Sequence, residues 1–78
     1  MPNITTVGLD LAKTVFQVHA ADEDGGPVIR KKLRRGQVLG FFSKLPPCLV
    51  GMEACASAHH WARAIAGLGH AVLLIPPA

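Results

Sequence analysis

Acidic residues are scarce in this 78-residue chain: five, against eight lysines and arginines, for a net charge of +3. Aromatic side chains are scarcer, with no tyrosine, one tryptophan and three phenylalanines. That shortage argues against base readout on a row of stacking rings, the device of many single-strand binders. Only two cysteines occur, Cys48 and Cys55. Six residues separate them, which is no common zinc spacing, and no signal peptide precedes them. They read as reduced thiols packed in a cytosolic core. No apolar stretch approaches the ~20 residues that a membrane-spanning helix needs. No internal repeat or low-complexity tract is present.

What is there is apolar. Half of the residues are hydrophobic and 17% are charged, a balance that belongs to a folding chain and not to a disordered one. The length allows one domain with a marginal core. So much apolar content on so small a surface implies that part of it is covered by more protein. The ending "AVLLIPPA" fits this, because a strand as apolar as Val72–Ile75 is usually buried on both faces.

Residues 4–11, "ITTVGLDL", form a β-branched strand pattern, and "VFQVHA" at Val15–Ala20 forms a second. "DEDGG" is a turn signal, so a hairpin leads into a third strand, "PVIRKKL" at Pro27–Leu33. Alternation there puts Val28, Arg30 and Lys32 on one face and Ile29, Lys31 and Leu33 on the other. The pattern suits an edge strand, where lysines deter stray pairing. The period then changes. Val38, Leu39, Phe42 and Leu45 stand at helical spacing, and two prolines end that helix. "CLVGM" at Cys48–Met52 is a short apolar run ending at Glu53. Ser57 is placed to cap a second helix, Ala58–Leu68, with Trp61, Ile65 and Leu68 as its buried stripe and glycine at its end. Ala71–Ile75 is the last strand.

The order is β-β-β-α-β-α-β. Strands reached through helices run parallel to the first, and short connections constrain the layout. The expected fold is α/β: three antiparallel strands extended by two parallel ones, with the fourth beside the first. Asp10 and Glu53 would then emerge at one edge, neighbouring strands being ~4.8 Å apart. Each follows an apolar run with glycine two residues before the acid, "VGLD" and "LVGME". Two such carboxylates repel unless a cation lies between them. Hard divalent ions accept oxygen ligands of this kind, and paired metals serve in-line attack on phosphodiesters. The alternative is a pair of rim acids satisfied by backbone amides or by Lys13.

"VGLDLAKTVFQVHAAD", followed by "CLVGMEACASAHHWARAIAGLGHAVLLIPP", resembles the N-terminal part of the DEDD-type insertion-sequence transposases, the "IS one-ten" family, over essentially the whole chain. The "GMEAC-x-SAHHWAR" block, "LGH" and the "IPP" ending carry the resemblance most specifically. It implies a ribonuclease-H-like fold similar to that of the Holliday-junction resolvase RuvC, truncated before the last catalytic helix. It implies that Asp10 and Glu53 are the first two acids of the DEDD set, with Mg2+ or Mn2+ as cofactor. The set's last two aspartates have no counterpart, since no acid follows Glu53. The chain therefore reads as an N-terminal fragment of a transposase that cuts and joins DNA, inactive by itself. The family's serine nucleophile lies in a later domain, and none is assigned here. The resemblance also implies DNA and a guide RNA as partners, and a cytoplasmic, nucleoid-associated place. The exposed core of such a fragment implies a homo-oligomer, with a dimer as the simplest closed form.

Other features remain. Five of the eight basic residues lie in "RKKLRR": Arg30, Lys31, Lys32, Arg34 and Arg35. With Lys13 they are the candidate contacts to nucleic-acid phosphates, which such a cluster binds without sequence preference; otherwise they form a solvated edge. His59 and His60 are adjacent on a helix and point apart, so they read as surface residues, and His19 and His70 attract no role. Ser57 reads as a cap and not a nucleophile. "GLDLAKT" also resembles the phosphate loop of the sugar-kinase, actin and heat-shock ATPase superfamily, although Ala12 and Lys13 depart from its pattern. A remnant that only binds or oligomerises is the third alternative.

Overall fold

A computed structural model describes residues 4–11 and 15–76. Five strands and two helices follow one another: β1 (Ile4–Leu11), β2 (Val15–Asp22), β3 (Pro27–Arg34), α1 (Val38–Ser43), β4 (Leu49–Glu53), α2 (Ala58–Ala66) and β5 (Ala71–Ile75). A short 3-10 turn, Arg35–Gln37, joins β3 to α1. The strands form one mixed sheet in the order β3-β2-β1-β4-β5. β1 pairs antiparallel with β2 and parallel with β4; β4 pairs parallel with β5. This architecture is compatible with a ribonuclease-H-like fold.

Local chemistry fixes the β2–β3 hairpin. The Asp22 carboxylate accepts the backbone N–H groups of Asp24 (3.0 Å) and Gly26 (2.9 Å). Gly25 takes φ +80°, a conformation that costs glycine nothing for want of a Cβ.

The pleat divides the sheet into a covered and an open face. Val7, Leu9, Phe16, Val18, Ala20, Val50 and Met52 point one way and are buried. Val38 and Phe42 from α1, and Ala58, Trp61 and Ile65 from α2, join them in one core cluster. Trp61 meets Phe16 edge-on, with ring centroids 5.1 Å apart. Large side chains buried this way stabilise the fold by about 1.5–3 kcal/mol each.

Several sequence expectations are corrected. α2 ends at Ala66, and Leu68 is exposed. Gly67 caps the helix and Gly69 turns the chain at φ +100°, so Ala58, not Leu68, completes the buried stripe. Leu39 is likewise exposed on α1. Ser57 occupies the position before α2 but makes no side-chain cap bond. β5, by contrast, is the uncovered edge strand expected of an apolar ending left for more protein to cover: Leu73 is 53% and Ile75 49% exposed, while Val72 and Leu74 are half-buried. Cys48 is buried, but Cys55 is exposed.

His70, which attracts no role in the sequence, is buried and makes contacts that the sequence does not signal. Its Nδ1 accepts the Cys48 backbone N–H at 3.2 Å, and its Nε2 reaches the Phe42 carbonyl at 2.8 Å. The Nδ1 bond puts the ring proton on Nε2, which donates to that carbonyl. One imidazole thus ties the end of α1 to the starts of β4 and β5.

Candidate functional site on the open sheet face

Opposite the helices the sheet is bare. β1 alternates apolar and non-apolar from Val7, so Val7 and Leu9 face the core and Gly8 and Asp10 face outward. β4 repeats the pattern: Val50 and Met52 are buried, while Gly51 and Glu53 turn out. The parallel register aligns Gly8 with Gly51 and Leu9 with Met52. One further residue along each strand come Asp10 and Glu53. The two carboxylates therefore stand on adjacent strands, on one face, both exposed.

They line the same shallow groove as Gly8, Gly51, His19 and Ile75. The glycines give it a low floor of backbone. Two carboxylates present four oxygen acceptors, a donor set suited to a hard cation or to N–H donors. Among the described residues, no cluster of three or more histidines, cysteines or acids of metal-binding kind is present. Asp10 and Glu53 thus stand as a carboxylate pair.

Neighbouring strands add charge of the other sign. Asp10 is registered with Gln17 on β2, and Gln17 with Lys32 on β3. His19 is registered with both Gly8 and Arg30. Arg30, Lys32 and Arg34 thus alternate onto the open face, the face of the carboxylates. Lys31 turns to the opposite side, where it lines a groove with Phe41 and Lys44. Arg35 lies beyond the strand, in the 3-10 turn. The basic run is exposed throughout, but it is two surfaces and not one. Lys13 lies outside the described residues, as does most of the "LAKT" segment.

Sequence reasoning passed over His19 and Gln17 as lining residues of this face. The signal was available in the alternation of "FQVHA": Phe16, Val18 and Ala20 claim the core side, which leaves Gln17 and His19 outward. His59 and His60 are exposed on α2, and the His60 ring stands edge-on to Trp61 at 5.2 Å.

No family model matches the chain. Its curated relatives are more informative. It is 59% identical over 75 residues to a Pseudomonas aeruginosa protein named "Probable family 20 transposase", a match covering 96% of this chain and 22% of the relative. The transposase for insertion sequence element IS1328 of Yersinia enterocolitica is 47% identical over 77 residues, covering 99% of this chain and 23% of the relative. The chain is similar to insertion-sequence transposases over nearly all of its length. The transposase for insertion sequence element IS1111A of Coxiella burnetii, 38% identical over 77 residues, extends the series, with 21% of the relative covered. The chain thus spans about a fifth of the length of these transposases, and its similarity to them includes the strands bearing Asp10 and Glu53. No described helix is long and apolar enough to cross a membrane.

Proposed function

We propose that this chain supplies two carboxylate ligands, Asp10 and Glu53, to a divalent-metal site for DNA strand cleavage and joining in a longer transposase. The observation that carries the reading is the parallel β1–β4 register, which sets two exposed carboxylates side by side on an open face. Similarity to transposases along the whole chain supports the substrate class. Asp10 and Glu53 would be the first two acids of a DEDD set on a RuvC-like core, and the longer protein would add the remaining acids, the nucleophile and the guide RNA contacts.

The donor set fits Mg2+ or Mn2+, since Mg2+ is commonly held by one or two carboxylates together with substrate phosphate and water. When bound, such an ion polarises a phosphodiester and activates the attacking oxygen. The chain's own residues do the rest by position. Asp10 and Glu53 concentrate negative charge at one point of a basic protein. Gly8 and Gly51 keep the floor low, so that a nucleic-acid backbone can approach. Arg30 and Lys32 offset the repulsion that the carboxylates alone would exert on a phosphate.

The test is a Mn2+ titration followed by paramagnetic broadening of backbone amide signals. Broadening should centre on residues 8–11 and 51–54 at millimolar-scale metal, as expected of a two-carboxylate site. Asp10→Asn and Glu53→Gln should each remove it. Broadening confined to His59 and His60 would overturn the reading.

A further inference from the structure

The pleat of β3 sorts its basic residues, and the register of β2 supplies their companions. Arg30 stands opposite His19 and Lys32 opposite Gln17, all four exposed. Side chains opposite one another on paired antiparallel strands have Cβ atoms about 4.5–5.5 Å apart. These four line one depression in the sheet surface, together with Val18 and Lys31, whose side chains the pleat turns toward the opposite face. Arginine offers a planar fork of five N–H donors, lysine three, the glutamine amide two and imidazole one or two. No acid lies among them. The nearest one on this face is Asp10, one strand away from Gln17.

We propose that Arg30, His19, Lys32 and Gln17 form a subsite for one nucleic-acid phosphodiester, flanking the phosphodiester that would face a metal ion held by Asp10 and Glu53. The inference rests on the metal-site reading for its neighbour and on the β2–β3 register for itself. At ~4.8 Å per strand, Gln17 stands one step from Asp10 and Lys32 about 10 Å away. That offset suits an adjacent unit of a single backbone. Convergent donors from two strands hold a phosphate's oxygens from several directions, and Arg30 can do so in bidentate fashion. Such a contact fixes the register of the strand without reading bases. Lys31 and Arg35 have no part in it, because the pleat and the end of the strand carry them away from this face.

Fluorescence anisotropy with a labelled 20-base-pair duplex, in EDTA and across a range of NaCl, separates the possibilities. Arg30→Gln and Lys32→Gln should each lower the slope of log affinity against log salt, and the double change should lower it by about 0.9 in all, the loss of one phosphate contact. Lys31→Gln, a charge change of equal size, should leave the slope unchanged. His19→Ala should weaken binding about three- to ten-fold, the value of one hydrogen bond. In combination with Arg30→Gln its effect should be less than additive, because neighbours on one ligand are coupled. Equal slope losses for Lys31→Gln and Arg30→Gln would overturn the subsite. So would an inert His19→Ala, or no duplex binding at all. Asp10→Asn/Glu53→Gln is assayed in parallel in EDTA, where it should bind duplex no more weakly than the parent. If the parent chain shows no Mn2+ broadening at residues 8–11 and 51–54 while the Arg30–Lys31 contrast holds, the metal reading falls and the subsite stands; the reverse result removes the subsite alone.

Discussion

Gly8 and Gly51 lie opposite one another across the parallel β1–β4 pair, and each is followed two residues later by a carboxylate. The period of a strand is two, so each glycine shares its face with the acid that follows, while Leu9 and Met52 between them enter the core. The same local arrangement is thus written twice and set side by side. Burial of Leu9 and Met52 fixes the facing of both acids, since slipping either strand by one residue would turn its acid into the apolar layer.

Alanine at these glycines separates stability from access. A Cβ on Gly8 would lie 3.8 Å from the His19 carbonyl oxygen, and one on Gly51 3.5 Å from Ile75 Cδ1, both ordinary contacts. Neither glycine has positive φ. Gly8→Ala and Gly51→Ala should each raise the urea midpoint, by an equivalent of about 0.4–1 kcal/mol, through loss of unfolded-state entropy. Gly51→Val should keep the fold but weaken Mn2+ and duplex binding by raising the groove floor. A drop in stability on either alanine change would show that the backbone there needs glycine for another reason.

His70 should be among the most sensitive positions in the chain. His70→Ala leaves the buried Cys48 N–H without a partner, strips the Phe42 carbonyl of one donor while leaving it the Leu45 N–H, and opens a cavity beneath Phe42, whose ring meets the imidazole edge-on at 5.6 Å. The orphaned N–H alone costs about 1–3 kcal/mol and the cavity adds to it, so a marginal domain should lose most of its cooperative unfolding transition. His70→Asn, which restores one bond at best, should recover part of it. An unchanged urea midpoint for the alanine variant would exclude the structural role.

The two thiols should differ sharply. Desolvation raises the Cys48 pKa above its ordinary 9.0, which keeps the thiol protonated and inert, whereas Cys55 is open to solvent. Alkylation at pH 8 should modify Cys55 within minutes and Cys48 only on unfolding. The sign for stability follows from linkage. With the folded value raised, the contribution of Cys48 is complete below pH 9.0 and is lost as pH climbs through the folded value. Peptide mapping and urea midpoints measured from pH 8 to 10.5 check both statements, with Cys48→Ala as the control that should lose the decline.

How much of this was legible beforehand depended on range. The alternations in "VGLDL", "FQVHA" and "LVGME" are local, and connection lengths dictated which strands could pair, so the layout and the placing of Asp10 beside Glu53 could be read from sequence. The pleat of the basic run was legible too, alternation sending Arg30 and Lys32 to one side and Lys31 to the other; which side shares the face of Asp10 and Glu53 was not, because that depends on the β2–β3 register. Helix ends failed where only context decides: Leu68 fits an apolar period but falls after the turn that Gly67 and Gly69 impose. His70 gave no local sign at all. Its partners lie 22 and 28 residues away, and only the closing of β4 and β5 against α1 brings them together.

Association is expected at one edge of the sheet and not at the other. Both edge strands, β3 and β5, present unpaired backbone groups, which invite another strand. β3 is guarded by Arg30, Lys31, Lys32 and Arg34, all exposed, and two copies meeting there would set like charges directly opposite, a destabilising arrangement. β5 carries no charge. Its outward residues Leu73 and Ile75, with Leu49 on the adjoining strand, form an exposed apolar stripe on the open face. A second copy pairing β5 to β5 about a two-fold axis would extend the sheet and bring the two stripes together, a closed and symmetric solution. Sedimentation velocity over a micromolar series should show a monomer–dimer equilibrium. Leu73→Lys should shift it to monomer, while Lys32→Leu should leave the β5 contact intact. A single monomeric species throughout the series would mean that the stripe tolerates water, as smaller apolar patches do. Loss of the dimer on changing β3 in place of β5 would put the contact on the wrong edge and refute the charge argument.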